Sequence, residues 1–375
     1  MKRLAIAAIA SVAVSSVSAQ SNEPFNIGVI APTSGPVATV GARQLYTVQW
    51  WEREVNAKGG IKGRQVRVHH CNDEANPEKA VTCARDLIGK GAVLLINSSI
   101  TGPIRATMPL VKQGPVMLTP SPNIMPDPST YVFQISPTDA DITQAMAEYL
   151  KRSNIAKIGI IAATDASGEV GVASAKQVFP PAGIQYNMAR IDLRATDASI
   201  QLATVAKSDV RALYAYYSGG GAATVVKSYA NLGLDQPLIV SYANISDPFI
   251  ALIKNDLPKR LLGTGVKGMA PELLTDAGER ERGAYFAKSY QQWKGERIDQ
   301  LNLIALGLAD IADAVLRNVA NPADAESVKK YLYSEPIKSF QTIRFTPQNH
   351  VGMGVKDVAV LELKNGSWVA AGDLR

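Results

Sequence analysis

Hydroxyl and amide side chains follow short apolar runs of the sequence, at points where strands would end. Residues 97–101 follow the run 93–96, and residues 121–123 follow the run 116–118. Such groups hold a polar ligand through many neutral hydrogen bonds, and hydroxyls together with backbone N–H groups suit a carboxylate. Because ligands of open α/β sheets bind beyond the carboxyl ends of the strands, we expect these segments to form a polar binding site.

Tyrosines occupy comparable positions in the second half of the chain. Tyr216 and Tyr217 end the run that starts at residue 212, and Tyr242 follows the run 238–240. Neighbouring strand residues face opposite ways, so one of Tyr216 and Tyr217 faces the core while the other can reach a cleft. We predict Tyr217 as a wall of the site, with core packing as the open alternative, and we predict the same for Tyr242. Ser218 is a further predicted ligand contact.

Enzymatic chemistry has little support in this sequence. The chain has three histidines, and two of them, His69 and His70, are adjacent and would face opposite sides of a strand. Neither a Gly-x-Ser-x-Gly elbow nor a P-loop occurs. The glycine run 219–221 lacks the spacing of a dinucleotide loop, so we predict that it allows close approach of the backbone to a ligand or a neighbouring strand. We therefore predict no catalytic residue, no metal and no cofactor.

The two cysteines are Cys71 and Cys83. Cys71 would end a strand, and Cys83 would lie in the following helix. A thiol pair in an exported chain is most simply a disulfide, and two free thiols are the open alternative.

Length and composition describe a globular protein with more than one domain. The chain has 375 residues, of which 46% are hydrophobic and 19% charged, and its formal net charge is +6. Chains of this size usually divide into two domains. No basic run is interleaved with aromatics, so we predict no nucleic-acid partner.

The first residues have the features of an export signal. A positive start at Lys2 and Arg3 precedes an apolar stretch of signal-peptide length, and small residues lead to Ala19. We predict a signal peptide over residues 1–19, cleaved after Ala19. An N-terminal membrane anchor is the alternative.

Strands and helices alternate along most of the chain. The first series contains strands near 25–30, 66–68, 93–96 and 116–118, with helices near 41–57, 77–89 and 102–113. A second series starts near 131 and ends with a strand at 238–240. Two long helices follow near 279–293 and 300–318, and the end of the chain is predicted to form strands at 341–345 and 358–363. This alternation predicts an α/β fold with two parallel sheets, each covered on both faces.

Several short motifs, in order, carry a family resemblance. They comprise Ser-Gly-Pro-Val-Ala at 34–38, Glu-Val-Asn-Ala-Lys-Gly-Gly-Ile-Lys-Gly-Arg at 54–64, Asn-Asp at 72–73, Asn-Pro-Glu-Lys-Ala at 76–80, Asn-Ser-Ser-Ile-Thr at 97–101 and Pro-Val-Met-Leu-Thr-Pro-Ser at 115–121. Together they resemble the branched-chain amino acid class of periplasmic binding proteins of ABC transporters. The resemblance covers nearly the whole chain after the signal segment.

The resemblance implies a type I periplasmic binding protein, with two Rossmann-like lobes joined by a hinge of three strands. Lobe 1 would comprise residues 24–142 and 267–345, and lobe 2 residues 143–266 and 346–375. The ligand would lie in the cleft between the lobes.

The resemblance also implies roles for individual residues. The ligand carboxylate would be bound by Ser99, Thr101, Ser121 and Asn123. Ile100 stands where a serine ligand is usual, so its contact with the ligand would be made through its backbone or be lost. Ser167 occupies the position of the family's tyrosine, and the segment 241–244 lacks the usual acidic partner for an ammonium group. Two nearby acids, Asp165 and Asp247, are candidate substitutes, with turn or cap roles as the alternative.

The implied function is transport. The protein would be the periplasmic substrate-binding component of an ABC importer and would close around an amino acid or a related, aromatic or unsubstituted carboxylate. Its partners would be the ligand and the permease subunits in the inner membrane, and it would be a monomer. A sensor of the same fold that feeds a chemoreceptor or signalling kinase is the alternative function.

Overall fold

The computed structural model describes residues 23–374 except Pro36, Leu193 and Ser218. The predicted signal peptide and the predicted ligand contact Ser218 therefore lie outside the described residues. Within that part of the chain, no helix combines the length and the apolar character needed to cross a membrane.

The first sheet has five parallel strands in the order β2-β1-β3-β4-β5. These strands are β1 (Phe25–Ile30), β2 (Val66–Cys71), β3 (Leu94–Ile96), β4 (Val116–Thr119) and β5 (Val132–Gln134). Strands β3, β4 and β5 are buried along their whole length. Continuous apolar runs of this kind suit a parallel sheet that is covered on both faces.

The second sheet has seven strands in the order β12-β11-β10-β9-β8-β6-β7. They are β6 (Lys157–Ala163), β7 (Gln185–Ile191), β8 (Ala212–Tyr216), β9 (Leu238–Val240), β10 (Leu261–Val266), β11 (Val358–Lys364) and β12 (Ser367–Ala370). The first five of these run parallel, and β11 and β12 add an antiparallel edge. The predicted fold class, α/β with two mainly parallel sheets, is confirmed.

The helices cover the faces of the two sheets. In chain order they are α1 (Ala38–Ala57), α2 (Pro77–Gly89), α3 (Thr101–Thr107), α4 (Asp139–Arg152), α5 (Ala166–Val178), α6 (Ser199–Val205), α7 (Gly219–Asn231), α8 (Asp247–Ile253), α9 (Ala277–Lys294), α10 (Gln300–Asn318) and α11 (Ala325–Ser334). Apolar residues of α1, α9, α10 and α11 share one core with the first sheet. We call the first sheet with these helices and α2 and α3 the first lobe, and the second sheet with α4 to α8 the second lobe.

The chain passes between the lobes three times: after β5, after β10 and before β11. The backbone of Gln134, at the end of β5, pairs with the segment before the third crossing. Its C=O accepts a hydrogen bond from Gly352 N, and its N–H donates to His350 O. The sequence places the last change of lobe at residue 345. Because this pairing holds residues 350–352 against the first sheet, we place the crossing after Met353.

Some elements differ from the prediction. The predicted strand at 341–345 is wrong, since only Ile343 in it forms a bridge, and that bridge is local, to Ile337. The sequence reading also missed β10, α8 and α11. β10 contains Gly263 and Gly265, which obscure its apolar run. An added Cβ at Gly263 would lie 2.4 Å from the Ile245 side chain, so close packing requires glycine there.

The predicted bond between Cys71 and Cys83 is confirmed. Cys71 is the last residue of β2 and Cys83 lies in α2, and their Cα atoms are 5.5 Å apart. This bond fastens α2 to the edge strand of the first sheet.

Candidate functional site

One amide group connects the two lobes at the carboxyl ends of their strands. The Nδ2 of Asn123, in the loop after β4, donates to Ser167 Oγ at 2.7 Å and to Thr101 Oγ1 at 3.3 Å. Thr101 is the first residue of α3 in the first lobe, and Ser167 is in the first turn of α5 in the second lobe. The structure thus brings three predicted site residues from two lobes into one polar cluster.

Two further predicted residues belong to the same edge of the first sheet. Ser121 is buried, and its Oγ accepts a long hydrogen bond of 3.4 Å from the backbone N–H of Asn123. Ile100 precedes α3 in an extended conformation, and its N–H reaches Ser98 Oγ at 3.4 Å. Ile100 offers the edge an apolar side chain where a hydroxyl is usual.

Gln44 is a functional candidate that sequence reasoning missed. It lies in α1, is 2% exposed, and accepts from Ser99 Oγ at 2.6 Å while donating to Asn97 O at 2.7 Å. The one available signal was a polar residue beside Leu45 on the apolar face of a helix. Through these bonds Gln44 sets the direction of the predicted ligand residue Ser99.

Tyr217 points into the core of the second lobe. Its side chain is 2% exposed and its hydroxyl donates to Asp192 O at 2.7 Å. The ring lies against Gly221, where an added Cβ would be 2.3 Å from Cζ. Gly221, the last residue of the glycine run, therefore makes room for the tyrosine ring, and burial raises the pKa of Tyr217 to about 12. Of the two alternatives left open by the sequence, core packing describes this side chain.

Tyr242 comes from the second lobe but packs into the core of the first. It is 7% exposed, and its hydroxyl is buried without a hydrogen-bond partner among the described residues. Burial raises its pKa well above the ordinary range, so the phenol stays neutral. Tyr242 lies where the lobes meet, and its free hydroxyl retains the capacity to bind a polar group.

The two acids considered as ammonium partners are already engaged. Asp165 caps α5, accepting from Gly168 N at 2.8 Å. Asp247 forms an ion pair with Arg297 at 3.2 Å. The described side chains of the polar cluster are therefore neutral.

Contacts on the hinge side also join the lobes. Gln300, the first residue of α10, is buried; it donates to Tyr242 O at 2.6 Å and accepts from Val266 N at 2.9 Å. Arg297 also donates to Gly366 O at 3.2 Å, in the turn between β11 and β12. These contacts hold the α9–α10 connection against the second lobe.

Glycines fix where α1 and α5 begin. An added Cβ at Gly41 in α1 would lie 2.1 Å from Pro32 O, and one at Gly168 in α5 would lie 2.0 Å from Ala163 O. Both nearby atoms belong to the backbone. Pro32 lies just beyond the end of β1, and Ala163 is the last residue of β6. Each helix start, with the side chains beside it, is therefore set by direct backbone contact with a strand end.

A buried acid lies at the first crossing between the lobes. Asp139 begins α4, its N–H donates to Pro122 O, and its Oδ2 is buried without a hydrogen-bond partner in the described structure. Burial raises its pKa to about 6, and the Ser174 hydroxyl offsets part of that rise. The pKa of Asp139 is higher in the folded state than in the unfolded state. The protonated carboxyl therefore makes its full contribution to folding stability below about pH 4, and this contribution is lost as the pH rises through 6.

Asp139→Asn should therefore stabilise the protein at pH 7.5, by about 2 kcal/mol, and change little at pH 4. Urea unfolding of both proteins at the two pH values measures this. The exposed Asp235→Asn is the control and should change stability by less than about 0.5 kcal/mol at either pH. Burial also raises the pKa of Asp299 to about 6. Asp299 is present in wild type and in both variants, so its effect on stability cancels when the proteins are compared. Equal effects of Asp139→Asn at both pH values would contradict the assignment.

Comparisons with known proteins agree with this architecture. A family model described as periplasmic binding protein matches residues 24–367. The Leu/Ile/Val-binding protein homolog 3 of Brucella melitensis is 30% identical over 156 residues, which are 40% of this chain and 42% of that protein. The chain thus matches less than half the length of this curated relative.

Solved structures share the whole fold. An extracellular ligand-binding receptor from Rhodopseudomonas palustris HaA2 is 20% identical with a TM-score of 0.82, covering 94% of this chain and 100% of that one. A solute-binding protein of an ABC transporter from R. palustris, in complex with benzoate, is 20% identical with a TM-score of 0.76, covering 93% and 96%. The matched family consists of binding proteins and not of enzymes. The chain belongs to the periplasmic binding protein family.

Proposed function

We propose that this protein is the periplasmic substrate-binding component of an ABC importer and that it binds a small organic carboxylate between its lobes. The observation that carries the proposal is the bridge from Asn123 to Thr101 in one lobe and Ser167 in the other. A ligand that replaced this direct bridge would be bound by both lobes. Ligand binding would then favour the form in which the lobes approach each other.

The ligand class follows from the charges of the site. Ser99, Thr101, Ser121, Asn123 and Ser167 supply hydroxyls and an amide, which accommodate a carboxylate without an ion pair. An ammonium group would need an acid, and the nearby Asp165 and Asp247 are held by a helix cap and by Arg297. We therefore favour a carboxylate without an ammonium group over an amino acid.

An apolar side chain at the site indicates a ring on that carboxylate. Ile100 places an aliphatic side chain next to Thr101, at a position where the family resemblance implies a hydroxyl. The benzoate complex of a protein with the same fold is consistent with this choice. The export signal predicted at residues 1–19 and an inner-membrane permease partner complete the proposal.

A thermal-shift panel tests the ligand class. The purified protein is heated with benzoate, leucine, succinate, putrescine or glucose, each at millimolar concentration. A ligand present at about a thousand times its Kd stabilises the folded state by about 4 kcal/mol, which should raise Tm by roughly 5 °C or more. Benzoate should give such a rise, while putrescine and glucose should give none.

Asn123→Ala locates the binding site. It should reduce the affinity for the stabilising carboxylate by roughly tenfold, because about one charge-assisted hydrogen bond is lost. Isothermal titration measures this, with the exposed Asn231→Ala on α7 as the control. A panel in which only the amine or the sugar stabilises the protein would overturn the proposal, as would equal affinities of Asn123→Ala and wild type.

A further inference from the structure

A cavity lies in the first lobe, among helices α1, α9, α10 and α11. Its volume is about 460 Å³, which is within the range of small-molecule sites. We call it the lobe-one groove. Its lining includes Trp50, Trp51, Lys58, Arg282 and Tyr285. These residues come from the carboxyl-terminal half of α1 and from α9, so the groove is remote from the strand ends that carry the polar cluster. Trp50 lies about 18 Å along the axis of α1 from its first residue.

The acids of the groove are satisfied by partners within it. Asp310 accepts both Nε and Nη2 of Arg282 and the hydroxyl of Ser339. Asp313 accepts from Arg317 and from Trp51 Nε1 at 3.1 Å. The third acid, Glu54, accepts from the Tyr285 hydroxyl at 2.7 Å. These carboxylates therefore have little capacity left for a cationic ligand.

The groups left without partners are donors. Lys58 Nζ makes no ion pair with any residue that the structure describes. It lies over the Tyr285 ring, 5.8 Å from the ring centroid. Trp50 is 1% exposed, and its indole N–H has no acceptor in the described part of the chain.

Aromatic rings supply the walls. Tyr285, which is 46% exposed, and Tyr331 line the groove beside Trp50 and Trp51, which are only 1% and 2% exposed. Rings and lysine together suit a flat ligand with a negative charge at one end. We propose that the lobe-one groove is a second ligand site, which binds a planar organic anion with its acidic group towards Lys58 and its ring against Tyr285, above the buried tryptophans.

Fluorine NMR of protein labelled with 5-fluorotryptophan tests this proposal directly. The chain has four tryptophans, two of which, Trp50 and Trp51, line the groove. The variants Trp293→Phe and Trp368→Phe each lose one resonance, which assigns the signals of the two tryptophans outside the groove. The two remaining signals belong to Trp50 and Trp51. Titration with naphthalene-1-sulfonate should shift the groove resonances saturably, with a Kd of about 0.1–1 mM. The Trp293 and Trp368 resonances should not move.

Variants distinguish this site from the interlobe site. Lys58→Gln should weaken naphthalene-1-sulfonate by roughly fivefold, and the exposed Lys227→Gln on α7 should not. The neutral naphthalene-1-sulfonamide should bind wild type and Lys58→Gln alike. Asn123→Ala should leave the groove titration unchanged, so the groove is testable even if the interlobe proposal fails. Shifts of all four resonances, or no loss of affinity in Lys58→Gln, would overturn the proposal.

Discussion

Gly168→Ala should destabilise the protein by about 3 kcal/mol and weaken ligand binding between the lobes. The new Cβ would lie 2.0 Å from Ala163 O and 2.7 Å from Ala163 C, and neither backbone atom can yield as a flexible side chain would. The first turn of α5 must therefore move away from the end of β6. Ser167, the residue before Gly168, would move with it and lose its bond with Asn123. Urea unfolding and titration of the stabilising carboxylate measure the two effects.

Gly283→Ala is the matched control for this substitution. Gly283 also lies within a helix, α9, but nothing lies within 4 Å of its added Cβ. Alanine favours helix over glycine by up to about 1 kcal/mol, so this variant should be equally stable or more stable than wild type, with unchanged affinity. If Gly168→Ala behaved like Gly283→Ala, the backbone contact between α5 and β6 could not have the closeness described.

Removing the disulfide should cost a similar amount of stability. The double variant Cys71→Ala/Cys83→Ala should unfold at lower urea concentration, with a loss of about 3 kcal/mol. The bond closes a short loop, with a sequence separation of 12, and limits the freedom of the unfolded chain. Cys83 is also 3% exposed, so its replacement removes buried sulfur from the packing of α2.

A reducing agent separates the two contributions. Dithiothreitol should destabilise wild type but leave the double variant unchanged, because the variant has no bond to reduce. The difference between reduced wild type and the variant then measures the packing contribution of the sulfur atoms. A wild-type unfolding curve that is identical with and without reductant would show that the bond does not form.

Elements with distinct end signals were predictable from the sequence. Helix α2 begins at Pro77 after the capping Asn76, and α10 begins after the capping Asp299, and both have the predicted bounds. Strand β10 was not predictable in the same way, because its glycines weaken strand propensity and their role depends on Ile245 and Leu361, which are distant in sequence. The predicted strand at 341–345 has suitable residues but no neighbouring strand of a sheet to pair with. Strand propensity alone does not supply that partner.

The site was predictable in its chemistry and less so in its individual contacts. The family resemblance identified Thr101, Asn123 and Ser167, in loops where the rule that ligands bind at strand ends also expects contacts, and the structure places them together. Alternation along β8 could not decide which way Tyr217 faces, because that residue lies just beyond the strand. The engagement of Asp247 was equally hidden, since Arg297 is fifty residues away in the chain.

The discontinuous construction of the first lobe has a consequence for the order in which the chain can fold. Its sheet is complete at Gln134, yet α10, which shares the core on one face of that sheet, ends at Asn318. A chain that has emerged only as far as the first sheet therefore leaves an apolar face without cover. Such intermediates aggregate readily. The lobe can therefore close only when most of the polypeptide, up to Asn318, has emerged.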